Sequence, residues 1–128
     1  MKGYVKDVLA ASVAIQYMEI TGGVPFKVIR GLSKIRSAIA EEAQIANKEQ
    51  ERLLGEYGGK VLQNGNVSFP DVQKRKDFEA AWVEVLDSEV EIDLDRLDLS
   101  ALADNIIFHN SNVDVDALST FIDFDGEK

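Results

Sequence analysis

With 128 residues the chain has room for one domain. Hydrophobic residues at 45 % and charged residues at 29 % permit a buried core and argue against disorder. Fourteen Lys and Arg stand against 23 Asp and Glu, a net charge of −9, which argues against a general nucleic-acid binder. The absence of cysteine excludes disulfides, thiol catalysis and cysteine-ligated metal, and a single histidine, His109, excludes any two-histidine site.

The first element is a predicted helix over residues 4–19. Val5, Val8, Leu9, Ser12, Ala14, Ile15 and Met18 recur at steps of three and four, with no Gly or Pro inside. The charge-free run Val8 to Met18 is 11 residues long, too short for a bilayer, which needs about 20. Lys2 and Lys6 precede it as in a signal peptide, but Asp7 interrupts them and Glu19 follows without a small-residue cleavage site. The stretch therefore reads as a buried helix of an intracellular protein. Thr21-Gly22-Gly23 ends it, and Pro25 suits the first turn of the next helix.

That second helix is long, residues 25–57, or roughly 50 Å. Val28, Leu32, Ile35 and Ile39 form its apolar stripe, which thins to Ala43, Ala46 and Leu53 before Leu54 and Tyr57 close it. Gly31 costs about 1 kcal/mol against Ala and allows a neighbour to approach closely. Gly58-Gly59 end the helix.

Residues 60–69 read as a β-hairpin, because Asn64-Gly65 is the preferred pair for a two-residue type I′ turn. That turn pairs Gln63 with Asn66, Leu62 with Val67 and Lys60 with Phe69. Alternation then gathers Leu62, Val67 and Phe69 on one face. Pro70-Asp71 opens a third helix over residues 71–88, with a stripe of Phe78, Trp82, Val85 and Leu86. At roughly 27 Å it covers only the distal half of the second helix when folded back on it. Trp82 is then expected near Ala43 and Ala46, where small residues make room for an indole. The proximal stripe must be covered by the first helix and the C-terminal third.

In that last third, Val90 to Leu94 alternates as a half-buried strand. Leu97, Leu99 and Leu102 follow in a turn or short helix, and Ile106-Ile107-Phe108 is a second short strand. Residues 114–124 read as a short helix carrying Leu118, Phe121 and Ile122, with its N-cap at Asn112 or Asp114. The expected fold is α+β and predominantly helical, in a single domain. A base of residues 1–36 and 89–128 carries a long antiparallel helical hairpin, residues 37–88, tipped by the β-hairpin.

Charge is uneven. Residues 1–60 carry a net +2 and residues 61–128 a net −11. From Glu84 onward thirteen acids face only Arg96 and Lys128, whereas Lys27, Arg30, Lys34 and Arg36 have no acid between them. One expectation is that the two zones meet within the base and set its register. The other is that an acidic surface of Glu91, Asp93, Asp95, Asp98, Asp114 and Asp116 imitates nucleic-acid phosphate and steers a basic partner.

Chemistry is harder to find. There is no phosphate loop and no nucleophile elbow. His109, among Asn110, Ser111 and Asn112, reads as a solvated or structural imidazole. Asp93, Asp95 and Asp98 lack the glycine and the closing Glu of a calcium loop, and Asp123-Phe124-Asp125-Gly126 lacks its further ligands. These acids read instead as solvated edge charges, which also prevent unwanted strand pairing. No catalytic, cofactor or metal residues are assigned. The hairpin face Leu62, Val67 and Phe69 must pack on Leu54 and Tyr57 or serve as an interaction site.

Several segments in order resemble a group of small proteins of tailed phages and prophages of Gram-positive bacteria, a domain of unknown function. The likeness begins with a helix ending before Val24 to Val28 and runs through Glu51 to Gly58 of the long helix. It continues with a Gly/Asn-containing insert, shorter and less charged here, then Phe78, Glu89 to Asp93, and Leu97, Leu99 and Leu102. It closes with residues 116–123. The resemblance implies phage or prophage origin and supplies no catalytic residues. The leading expectation is a non-enzymatic protein-interaction module, a virion or tail accessory whose partner is another phage or host protein, in the host cytoplasm or the virion. Direct nucleic-acid binding and membrane insertion are not expected, and a second copy of the chain is a candidate cover for the half-exposed helix. The alternative is an acidic inhibitor of a host nuclease or anti-phage defence complex, and a third is a metal-dependent enzyme.

Overall fold

The computed structural model describes residues 1–126, and the chain is α+β and predominantly helical. In order it forms β1 (Lys2–Tyr4), α1 (Val5–Gln16), β2 (Met18–Ile20), α2 (Phe26–Glu56), β3 (Lys60–Val61) and β4 (Val67–Ser68). These are followed by α3 (Val72–Leu86), β5 (Glu89–Glu91), β6 (Leu97–Asp98), a 3-10 helix (Ser100–Asn105), β7 (Ile106–Phe108), α4 (Val115–Leu118) and β8 (Ile122–Asp123). The strands pair two by two: β1 with β5, β2 with β7 and β3 with β4 antiparallel, β6 with β8 parallel.

α1 starts where the Asp7 carboxylate accepts the Tyr4 N–H at 3.3 Å, an orphan donor at the helix entrance. It buries Val8, Ala11, Ala14 and Ile15. It ends three residues before the expected stop, because Met18–Ile20 pair with β7: Met18 with Phe108, Glu19 with Ile107 and Ile20 with Ile106. The Tyr17 carbonyl accepts the His109 N–H at 2.9 Å, and Thr21 N–H donates to the Asn105 carbonyl at 2.8 Å. Met18 faces the core in either conformation, so local periodicity could not separate helix from strand. Gly22, at φ +82°, turns the chain after a strand and not after a helix.

α2 is 31 residues long, about 46 Å. It buries Leu32, Ile35, Ile39, Ala43, Ala46 and Leu53 of the expected stripe, while Val28 is only half-buried against the core. The proximal part packs against α1 and the C-terminal third, as its length demanded. A Cβ on Gly31 would stand 2.9 Å from Leu97 Cδ1, so this glycine lets β6 approach the helix. The main core joins Val8, Ile15 and Met18 to Leu32, Ile35 and Ile39, and these to Ile92, Leu99, Leu118, Phe121 and Ile122. Among the described residues, none between 44 and 89 belongs to it. That segment buries Ala46, Leu53 and Phe78 separately. α3 begins where Asp71 accepts the Lys74 N–H at 2.7 Å, and it contacts α2.

The hairpin is where expected, but its register differs by one residue. Lys60 faces Ser68 and Val61 faces Val67, while Leu62 N–H donates to the Asn66 carbonyl at 2.7 Å. The loop therefore has three residues. Gly65 N–H bonds the Leu62 carbonyl at 3.0 Å, and Gly65 alone in the loop takes positive φ, +85°. A type I′ turn would need Asn64 in that region too, and no non-glycine residue among those described has positive φ. Asn64 instead uses its Oδ1 to accept the Asn66 N–H at 3.0 Å. Because a one-residue slip reverses faces, Val61 joins Val67 and Leu62 turns to the other side.

The C-terminal third is more strand-like than its periodicity suggests. Ile92 N–H donates to the Met1 carbonyl at 2.8 Å, and the Met1 amino group donates to the Ile92 and Leu94 carbonyls at 2.6 and 3.0 Å. The helix expected over residues 114–124 shortens to α4, with Asp114 capping Ala117 N–H at 3.1 Å. Phe121 and Ile122 leave it so that β8 can lie beside β6. Leu97 N–H meets the Phe121 carbonyl at 3.1 Å, and Leu99 N–H meets that of Asp123 at 2.8 Å. Full burial of Phe121 and Ile122 outweighs a further helical turn.

Candidate functional site

Two surfaces follow from the residues singled out in the sequence. The first is the hairpin tip. Leu62 and Val67 are exposed there, but Phe69 is half-buried, its ring 5.3 Å from that of Phe78 at a 36° tilt. Gly59 makes room for this packing, since a Cβ there would meet Leu54 Cδ2 at 2.8 Å and Phe69 at 3.0 Å. Phe69 therefore holds the tip to α3 and is removed from the contact surface. Its place is taken by Val61, 67 % exposed, which the slipped register puts opposite Val67. Only the turn type could have revealed Val61, because Asn64-Gly65 fits both a two-residue and a three-residue loop.

The second surface is acidic. Glu91, Asp93, Asp95, Asp98, Asp114 and Asp116 are all exposed. Two of the six also hold the local backbone. Asp98 accepts the Ser100 N–H at 2.9 Å and its hydroxyl at 2.6 Å, starting the 3-10 helix. The Ser100 hydroxyl, then the Ser100 N–H, then the nearby Arg96 charge lower the Asp98 pKa below the usual carboxylate value. Asp114 is the α4 cap. Arg96 donates its Nε–H to the Ser119 carbonyl at 2.8 Å and so ties the loop before β6 to the end of α4.

The ion pairs of the described residues are Lys6 with Asp87, Arg52 with Glu49 and Glu56, Arg75 with Glu79, and His109 with Glu19. Arg52 is the best held, and its hydrogen bond lowers the Glu49 pKa. None of these joins the basic run of α2 to the C-terminal acids. Lys34 lines a cleft with Asp95 and Asp98 without closing a pair, so the two charge zones adjoin there and do not interlock. His109 is exposed and pairs with Glu19, diagonally across on the outer face of the β2–β7 pair.

Among the described residues, no three His, Asp or Glu side chains converge as a metal site would require. Asp123, the one buried acid in that set, accepts the Asp125 and Gly126 N–H groups at 3.0 and 2.9 Å, so its carboxylate shapes a turn. No family model, curated protein or solved structure matches the chain. No described helix is long and apolar enough to cross a membrane.

Proposed function

We propose that the chain is a non-enzymatic protein-interaction module of phage or prophage origin, in which residues 37–88 form an antiparallel helical arm and the hairpin at its tip contacts another protein. One observation carries this reading: Val61 and Val67 expose apolar side chains on one face of the hairpin and Leu62 on the other, within residues 44–89, none of which, as described, shares in the main core. Exposed apolar groups gathered on a rigid projection are what a partner pocket would desolvate. The partner is a phage structural protein or a host protein, and the setting is the bacterial cytoplasm or the virion.

The test is photo-crosslinking in phage-producing cells, with a photoreactive residue at Leu62 and, as control, at Glu89 on β5. A partner captured from position 62 and not from 89 supports the reading. No product from position 62, with the protein folded and expressed, contradicts it. The position of the gene supplies a second check: neighbouring tail and lysis genes are expected.

A second reading, inhibition of a host nuclease or defence complex through the acidic surface, is favoured by the exposure of all six carboxylates and their freedom from the basic run of α2. Charge reversal there should be confined to Glu91, Asp93, Asp95 and Asp116, because Asp98 and Asp114 also fix the backbone. Loss of inhibition on that reversal, with an unchanged melting temperature, is its expected signature.

A further inference from the structure

A groove on the other half of the molecule points to a different contact. Two clefts of about 390 and 450 Å³ adjoin along the first turns of α2 and share Arg36. The first is lined by Ser12, Ile15 and Gln16 of α1 with Ile39 and Ala40 of α2. The second is lined by Ile20 and Val24 with Ile29, Leu32, Ser33 and Ser37. Their walls are therefore mostly apolar and hydroxylic, with the Gln16 amide, and among the described residues Arg36 is the only charged one lining either cleft.

Three observations give this groove a direction. Among the described residues Arg36 makes no hydrogen bond or ion pair, and it is exposed. On α2, Phe26, Ile29, Ser33, Arg36 and Ala40 follow one another at steps of three and four, so they share one helix face. Phe26 is 76 % and Ile29 51 % exposed. Finally, no acid occurs on α2 before Glu41, in a chain whose net charge is −9. A free guanidinium between two apolar clefts, with no carboxylate nearby on its helix, is complementary to a carboxylate flanked by apolar side chains.

We propose that this groove docks an acidic amphipathic helix of a partner protein. The lined stretch from Ile29 to Ala40 spans about 16 Å of α2. That matches a helix presenting apolar anchors at i and i+7 with an acid between them, and it would add a third helix to the α1–α2 pair. The incoming carboxylate forms a fork-shaped pair with Arg36, and the anchors cover Ile29 and the Ile15–Ile39 cleft. This surface lies on the opposite half of α2 from the hairpin tip and does not depend on the tip reading.

The experiment selects a yeast-displayed library of 16-residue helices against the full chain, then measures the winners on Arg36→Glu and Ile29→Asp. Both positions are exposed, and circular dichroism confirms that each variant folds. The expected winners carry Asp or Glu between apolar residues at helical spacing and lose at least tenfold in affinity on each variant. Winners that are basic, unpatterned or equally bound by Arg36→Glu overturn the proposal, as does a library without winners. Light scattering that shows a dimer dispersed by Ile29→Asp assigns the groove to a second copy and likewise overturns it.

Discussion

Asp123 shows how much one side chain holds in this chain. It is buried, and its Oδ1 accepts two backbone N–H groups in the turn that follows β8. Asp123→Ala removes both bonds and is expected to cost about 2 kcal/mol in a urea titration, with Asp123→Asn losing less. Asp98 predicts a pH effect of known sign. Its folded pKa is lowered, chiefly by the Ser100 hydroxyl, so its contribution is complete above the ordinary carboxylate pKa. That contribution is lost as pH falls through the folded value. Ser100→Ala should move the Asp98 titration, followed by NMR, back toward the ordinary value. Gly58 is constrained twice, by a φ of +73° and by the Pro70 ring 2.9 Å from where a Cβ would stand. Gly58→Ala is expected to cost about 1–2 kcal/mol. All three residues stood out in the sequence, but only for Gly58 did the sequence signal match the role: a glycine pair after a long amphipathic run announces a turn, whereas Asp98 and Asp123 were noticed as surface or cation-type acids and serve as backbone hydrogen-bond acceptors.

Among elements, those whose signals lie close in sequence were legible. The bounds of α2 agree with expectation to within one residue, Asp71 starts the third helix as its N-cap, and of the two caps offered for the last helix, Asn112 and Asp114, Asp114 is the one used. The strands that close the base were harder. β1 finds its partner at β5, Lys2 opposite Glu91, and β2 finds its partner at β7, Met18 opposite Phe108. No short-range pattern encodes a partner some ninety residues away, so Met18 and Glu19 read as helix. Phe121–Ile122 read as helix for the same reason. The hairpin falls between these cases: Asn64-Gly65 located the turn but not its length, and the face assigned to Leu62 went with the wrong length, while Phe69 kept its face and packs on Phe78. Gly65→Ala places a Cβ at φ +85° and is expected to weaken the hairpin by about 1 kcal/mol. Hydrogen exchange at Leu62 N–H should then accelerate while α1 amides keep their protection.

At the scale of the whole molecule, the arrangement of the core carries the account. The main cluster draws on residues 1–43 and 90–124 and passes over everything between. Ile39, 1 % exposed, sits within it, so Ile39→Ala is expected to cost about 2–5 kcal/mol of global stability by denaturant titration. The core reaches Ala43, past the expected base boundary at residue 36, so the root of the expected arm belongs to the base. The candidate site was legible in outline, since hairpin, acidic surface and basic run were all visible as patterns. Which apolar residues face outward was not, because that depended on a single residue of register.

The extended arm is tested most directly by electron–electron distance spectroscopy. The chain has no cysteine, so labels can be placed cleanly at Lys27 and Gln63, both exposed. Helix rise alone separates residue 27 from the end of α2 by about 44 Å, and the account predicts a narrow distribution at or above that distance. A distribution centred below about 30 Å would place the tip back against the base and contradict it.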